Sequence, residues 1–315
     1  MVLIHPKPSA SPSRIRHVFF GPDELRAGWR LLIYLALVSA LILLGNIIAH
    51  ATVGSANGLS TQFTRKVVNA VAFLSAAWLM GKAERRTLAD YGLPWGQTFG
   101  LRFVQGILIG FVAVTLILGC QRAAGALEIT GISSHATEAG KWAGVYAVAF
   151  ALAGFEEEFR FRGYTLFTMT TGMRFWPSAT VLSVLFGASH LSNTGETWIG
   201  SLNAALAGLV LAFFLRRTGN LWLPIGLHAA WNWTESYFYG AADSGQSLPG
   251  HLFSSTFSGP GWLTGGTVGP EGSVFCTFVL IGTWLVGRVW LRKSQYPNPA
   301  RLARGKTRVK LISPA

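Results

Sequence analysis

Three hydrophobic stretches of this sequence contain side chains that can accept a proton or polarise a carbonyl group. The stretch 155–163 holds three adjacent glutamates and two arginines. The stretch 186–190 ends in a histidine, and the stretch 228–232 begins with a histidine and ends in an asparagine. An ionisable group inside an apolar helix costs about 2.5–3.5 kcal/mol on insertion scales, so each of these residues is a candidate for function.

Helix geometry distinguishes the three glutamates. Residues four positions apart lie on the same face, so Glu158 can pair with Arg162 and Glu156 can pair with Arg160. Glu157 has no basic residue three or four positions away, so we expect it to be the carboxylate with a raised pKa and a free lone pair. A general base needs both properties.

The two histidine segments have the same four-residue spacing. Phe186 and His190 share one helix face, as do His228 and Asn232. We expect these polar groups and Glu157 to lie at one depth, near the midplane or in the cytoplasmic half of their helices. Structural alternatives stay open, because a membrane histidine can simply hydrogen-bond a neighbouring helix and a Glu–Arg pair can be a buried salt bridge.

The composition indicates a membrane protein. Half of the 315 residues are apolar and only 12% are charged, against about 25% in a soluble domain. The basic residues that give the net charge of +13 lie between the apolar runs and in both tails. Cytoplasmic loops and contact with an anionic lipid surface explain this placement better than binding of nucleic acid does. The segment 239–271 contains no Lys or Arg. This asymmetry predicts that both ends of the chain are cytoplasmic.

The expected fold is all-α, a polytopic membrane protein of about eight transmembrane helices. We expect a basic N-terminal tail at 1–28, a transmembrane domain at 29–292 with a core at about 140–238, and a basic C-terminal tail at 293–315. The residues 239–271 are expected to form a long loop rich in Gly, Ser and Pro. The predicted helices are at about 29–49, 66–81, 102–121, 142–168, 177–192, 197–215, 220–238 and 272–291.

The three segments together resemble the CPBP family, which comprises the CAAX prenyl proteases of the second type and the bacterial Abi and bacteriocin-processing proteins. The family pattern is EExxxR, then FxxxH, then HxxxN. It corresponds here to Glu157 through Arg162, Phe186 through His190, and His228 through Asn232. Glu156 makes the first motif ambiguous, but only the pair 157–158 stands five and four residues before Arg162. The resemblance covers residues from about 140 to 238.

The resemblance implies an intramembrane endopeptidase. Glu157 would activate a water molecule that His190 helps to hold, and His228 and Asn232 would donate to the oxyanion as neutral groups. Glu158 and Arg162 would orient their helix. The family has often been called metalloprotease-like, and two His and one Glu are enough for catalytic zinc. However, there is no His-Glu-x-x-His helix, so we expect no cofactor, with zinc as the less favoured alternative.

The expected partners are a membrane-associated peptide or protein substrate and the lipid bilayer. The expected location is a cell membrane, with the chain crossing it several times, and we expect this to be the bacterial cytoplasmic membrane. Two alternatives stay open. One is a non-catalytic immunity or scaffold protein on the same fold. The other is a proton-coupled transporter, which is less favoured because the sequence shows no inverted repeat.

Overall fold

The computed structural model describes residues 18–19, 25–53, 59–132, 138–247 and 249–297. The predicted tails at 1–28 and 293–315 therefore fall largely outside the described residues. The α-helices within the described ranges are α1 (Ala27–Val53), α2 (Leu59–Glu84), α3 (Leu101–Ala123), α4 (Ala139–Arg162), α5 (Tyr164–Met173), α6 (Phe175–His190), α7 (Trp198–Thr218), α8 (Trp222–Trp233), α9 (Gly261–Thr264) and α10 (Val274–Trp290). A π-helical turn, Thr234–Phe238, continues α8. Short 3₁₀ turns lie at Leu88–Tyr91, Trp95–Gln97 and Pro270–Gly272.

Each predicted helical segment overlaps a helix of the structure, with two differences. The second helix begins at Leu59, well before the expected start at about 66. The fourth segment is interrupted at Gly163, where α4 ends and α5 begins. A Cβ atom at Gly163 would lie 2.5 Å from the carbonyl oxygen of Phe159, so a larger residue does not fit this bend.

The apolar surface of the helices indicates a membrane protein. Three helical segments are long and apolar enough to cross a bilayer: Ala27–Thr52, Leu101–Ala123 and Trp198–Thr218. Helix α10 is apolar but shorter. Large hydrophobic side chains on α1 and α10 are exposed, including Leu43 and Val289. The number of spans and the orientation of the termini stay predictions.

The fold is mostly helical, consistent with the expected all-α membrane protein, and one pair of short β-strands is added to it. Strand β1 (Leu127–Ile132) follows α3, and strand β2 (Phe253–Phe257) lies within the predicted long loop. They pair antiparallel, with Leu127 opposite Phe257. The segment 239–271 is thus attached to the connection between α3 and α4. The pairing was not predicted, because it joins segments that are far apart in the sequence.

Helix α8 is held by close contacts with two other helices. Cβ atoms at Gly106 and Gly110 of α3 would lie 2.2 Å and 2.3 Å from backbone oxygens of α8. Gly154 of α4 approaches the same helix, with a Cβ position 3.1 Å from the carbonyl oxygen of Ile225. Small residues four positions apart allow such close backbone packing in membranes. These contacts fix the position of the helix that carries His228.

Candidate active site

A cavity of about 420 Å³ brings together the four polar residues that the sequence selected. Glu157 from α4, His190 from α6, and His228 and Asn232 from α8 all line it. Residues from α2, α7 and the segment 239–271 complete its walls. The three motifs therefore converge in space, as expected from their spacing.

Behind the cavity, a buried ion pair fixes one of the histidines. Arg162 Nη1 donates to Glu158 Oε1 at 2.8 Å, as the four-residue spacing predicts. The same oxygen lies 3.0 Å from Nδ1 of His228, and both members of the ion pair are buried. The guanidinium also stacks over Phe186, 4.6 Å from the ring centre. Gly208 of α7 leaves room for it, since a Cβ there would lie 2.9 Å from Arg162 Nη2.

The hydrogen bonds of the two rings define what each can do. Nδ1 of His190 lies 2.7 Å from the carbonyl oxygen of Phe186. A carbonyl oxygen only accepts, so Nδ1 carries the proton and Nε2 of the neutral ring has a lone pair. By the same logic, His228 donates from Nδ1 to Glu158, and its Nε2 lies 3.7 Å from Glu157 Oε2. His228 can therefore donate from Nε2 only as imidazolium, which corrects the expectation of a neutral donor.

Glu157 has a cationic partner on another helix. Lys66 of α2 places its Nζ 2.5 Å from Glu157 Oε1 and 3.0 Å from Glu156 Oε2. The expected raised pKa of Glu157 assumed that no cation lies beside it, and this assumption is wrong. Lys66 was expected at the first position of a helix, but α2 begins at Leu59 and places it about two turns inside. The lysine also lines the cavity, and sequence reasoning missed its contact with Glu157.

The expected pair of Glu156 with Arg160 does not form within the described residues. Glu156 is buried and contacts Lys66 instead. Arg160 is exposed and lies over the rings of Phe73 and Phe161, 5.7 Å and 5.1 Å from the ring centres. Glu156 does not line the cavity, whereas Glu157 does. This separation agrees with the motif register that begins at Glu157.

The cavity extends to one end of several helices. Its lining includes Gln62 near the start of α2, Trp142 near the start of α4, Asn193 after α6, and Gln246 from the segment after α8. His190 is the last residue of α6. All these ends are the ones that the charge pattern assigns to the outer side. The expected depth, near the midplane or in the cytoplasmic half, stays a prediction, as does the orientation.

The predicted catalytic residues do not fit a metal centre in this structure. Among the described residues, Glu157, His190 and His228 do not bring three ligand atoms within 4.8 Å of one another. The set that does so is Glu235, Asp243 and Glu271. Burial and the negative charge of Glu271 raise the pKa of Asp243 to about 8. Both Asp243 and Glu271 line the same cavity as the motif residues.

Comparison with known families identifies the central segment. Residues 139–234 match the family model described as type II CAAX prenyl endopeptidase Rce1-like. The match begins at α4 and ends directly after α8, so it includes all three motifs. A comparison with curated proteins finds no match. Residues 139–234 are therefore similar to the Rce1-like type II CAAX prenyl endopeptidases, which confirms the resemblance to the CPBP and CAAX proteases over this segment.

Proposed function

We propose that the chain is an intramembrane endopeptidase that hydrolyses a peptide bond by glutamate-activated water. One observation carries the proposal: the Glu157 carboxylate faces a cavity shared with His190, His228 and Asn232, while a buried ion pair supports it from behind. The family match supports a membrane protease. The family match covers residues 139–234, which include these four residues, and it does not cover the helices before and after that range.

In the proposed reaction, Glu157 accepts a proton from a water molecule in the cavity. The lone pair on Nε2 of His190 accepts the second water hydrogen as a hydrogen bond and orients the oxygen. The water oxygen bonds to the peptide carbonyl carbon, and the carbonyl oxygen becomes an oxyanion. Glu157 then gives its proton to the leaving nitrogen as the C–N bond breaks. A positioned general acid–base of this kind contributes roughly 10²–10⁴-fold to rate.

His228 and Asn232 are the proposed donors to the oxyanion. They lie four residues apart on one face of α8 and both line the cavity. The amide of Asn232 makes no hydrogen bond to any described residue, so its NH₂ group is available to a ligand. His228 donates from Nε2 as imidazolium, with Glu158 and Glu157 on either side of the ring. Donors that are already oriented stabilise the oxyanion without reorganisation.

Glu158 and Arg162 are positioning residues in this scheme. Their ion pair is buried, and Glu158 holds the His228 ring through Nδ1. The proposed substrate is a membrane-associated peptide or protein, because the cavity lies among helices with apolar outer surfaces. We propose a multi-pass arrangement in a bacterial cytoplasmic membrane, with both termini in the cytoplasm. No zinc ion takes part in the proposed reaction.

The test is cleavage of a quenched peptide library by the purified full chain in detergent. We expect the wild type to cleave, and Glu157→Gln to lose activity by about 10²-fold or more. Glu128→Gln is the matched control, since Glu128 is exposed on β1 and does not line the cavity. Activity that survives a strong chelator supports water activation by glutamate. Activity that is lost to chelation and restored by zinc contradicts it.

If the wild type and Glu157→Gln are equally inert against the library, the peptidase proposal fails. The immunity or scaffold alternative would then be favoured. Binding of a membrane peptide without cleavage would be its expected signature.

A further inference from the structure

Three carboxylates meet beside the cavity on segments that the proposed reaction does not use. Glu235 lies in the π-helical turn that continues α8, Asp243 follows in the next segment, and Glu271 lies in the 3₁₀ turn before α10. Each offers an oxygen, and these oxygens all lie within 4.8 Å of one another. Glu235 and Asp243 are buried.

Glu235 has no cationic partner in the part of the chain that the structure describes. Its side chain is fully buried, and neither carboxylate oxygen has a hydrogen-bond partner among the described residues. An isolated buried carboxylate is costly, so such a group normally pairs, binds a metal ion or takes up a proton. No Lys or Arg in the described part of the chain forms an ion pair with any of the three carboxylates.

The other two carboxylates are held in place. Glu271 Oε1 accepts from Trp231 Nε1 at 3.2 Å. Its Oε2 accepts from the backbone nitrogen of Ser244 at 3.2 Å and from the Ser244 hydroxyl at 2.9 Å. Asp243 Oδ2 accepts from the hydroxyl of Ser236 at 3.4 Å. Glu235 is therefore the member of the set with both oxygens available to one ligand.

We propose that Glu235, Asp243 and Glu271 form a binding site for a hard divalent cation, with calcium as the ion that fits. Carboxylate oxygens are the preferred ligands of Ca²⁺ and Mg²⁺, and a bidentate glutamate is typical of calcium. The three carboxylates each offer an oxygen within 4.8 Å of the others, close enough for all three to bind one cation. Calcium is favoured over magnesium because both oxygens of Glu235 are available to one ion.

A cation at this position would connect the end of α8 to the segment that covers the cavity. Glu235 follows Asn232 by one helical turn, and Asp243 and Glu271 lie at the two ends of the covering segment. The backbone already joins these parts, since Ala241 N donates to Glu235 O and Gly245 N donates to Val268 O, both at 2.9 Å. The site is proposed independently of the peptidase activity.

A shared proton is the competing way to neutralise the three carboxylates. Burial and the negative charge of Glu271 raise the pKa of Asp243, which favours retention of one proton in the absence of a cation. The two possibilities differ in their response to metal. Calcium would stabilise the protein at a fixed pH, whereas a proton would make stability depend on pH and not on calcium.

The experiment uses the purified full chain in detergent, stripped of metal and held at pH 7.5. Terbium is added as a calcium probe, and its luminescence is excited through tryptophan, because Trp231 contacts Glu271. We expect saturable terbium binding that calcium displaces. We also expect a midpoint of thermal unfolding that rises by several degrees with calcium.

Glu235→Gln is the test variant and Glu128→Gln, on the exposed face of β1, is the control. We expect Glu235→Gln to weaken calcium binding at least tenfold, and the control to bind like the wild type. Asp243→Asn provides a second variant in case Glu235→Gln does not fold. Equal terbium binding in wild type and both variants would overturn the proposal. So would a thermal midpoint that responds to acidification between pH 8 and 6 but not to calcium.

Discussion

Nζ of Lys66 lies 2.5 Å from Oε1 of Glu157, so a cation from α2 contacts the carboxylate that the motifs assign to catalysis. The same nitrogen reaches Glu156 Oε2 at 3.0 Å. Lys66 is partly exposed, with 34% of its side chain accessible. It therefore compensates two adjacent carboxylates while it faces the cavity. One carboxylate oxygen of Glu157 is left for water.

This contact predicts that Lys66→Met lowers turnover at least tenfold. The substitution would leave two neighbouring carboxylates in an apolar region, and like charges at such a distance cannot both stay ionised. A protonated Glu157 cannot accept a proton from water. The measurement is kcat on a cleaved peptide. Lys82→Met, which changes an exposed lysine near the end of the same helix, is expected to match the wild type. Full activity in Lys66→Met would show that the contact has no catalytic role.

The register of the glutamate motif gives a second prediction. Glu156 is buried and does not line the cavity, whereas Glu157 does. We expect Glu156→Gln to keep most of the wild-type turnover, because Lys66 still contacts Glu157. We expect Glu157→Gln to lose the wild-type turnover. Each variant removes one of the two carboxylates that contact Lys66, so the comparison tests which of the two positions carries the catalytic role. If Glu156→Gln loses more turnover than Glu157→Gln, the glutamate motif begins at Glu156 and not at Glu157.

The sequence predicted the parts of this site that follow local periodicity. The pair of Glu158 with Arg162 and the histidine segments depend on four-residue spacing, which is a property of a helix alone. Lys66 was missed because it comes from another helix, 91 residues earlier, and its contact depends on tertiary packing. The strand pair was missed for the same reason, since β1 and β2 are far apart in sequence.

Glu235 was also missed, although its signal was present. It lies in the predicted helix 220–238, so the rule that selected Glu157 applies to it equally. The sequence does not show that the segment 239–271 folds back toward the end of α8. This fold-back brings Asp243 and Glu271 close to Glu235.

The buried ion pair predicts a large loss of stability on removal of one partner. Arg162→Met would leave Glu158 without its cationic partner in a fully buried position. Such changes typically cost about 3–5 kcal/mol. We expect a strongly lowered midpoint of thermal unfolding in detergent. The double variant Glu158→Gln with Arg162→Met is expected to recover part of that loss, because no buried charge is left. If the single variant unfolds like the wild type, the ion pair does not carry the packing of α4.

The close approach of α3 to α8 predicts opposite effects at two glycines of one helix. A Cβ at Gly106 would lie 2.2 Å from the backbone oxygen of Leu223, so Gly106→Ala must push α8 away. Overpacking of this kind costs about 1–3 kcal/mol. Gly119 lies in the same helix with no atom within 4 Å of its Cβ position, so Gly119→Ala is the matched control. There the change removes a glycine from a helix interior, which favours the helix by roughly 0.5–1 kcal/mol. We expect a lower thermal midpoint and slower cleavage in Gly106→Ala, because a displaced α8 moves His228 and Asn232 relative to Glu157. Equal midpoints for the two variants would show that the spacing of α3 and α8 does not depend on Gly106.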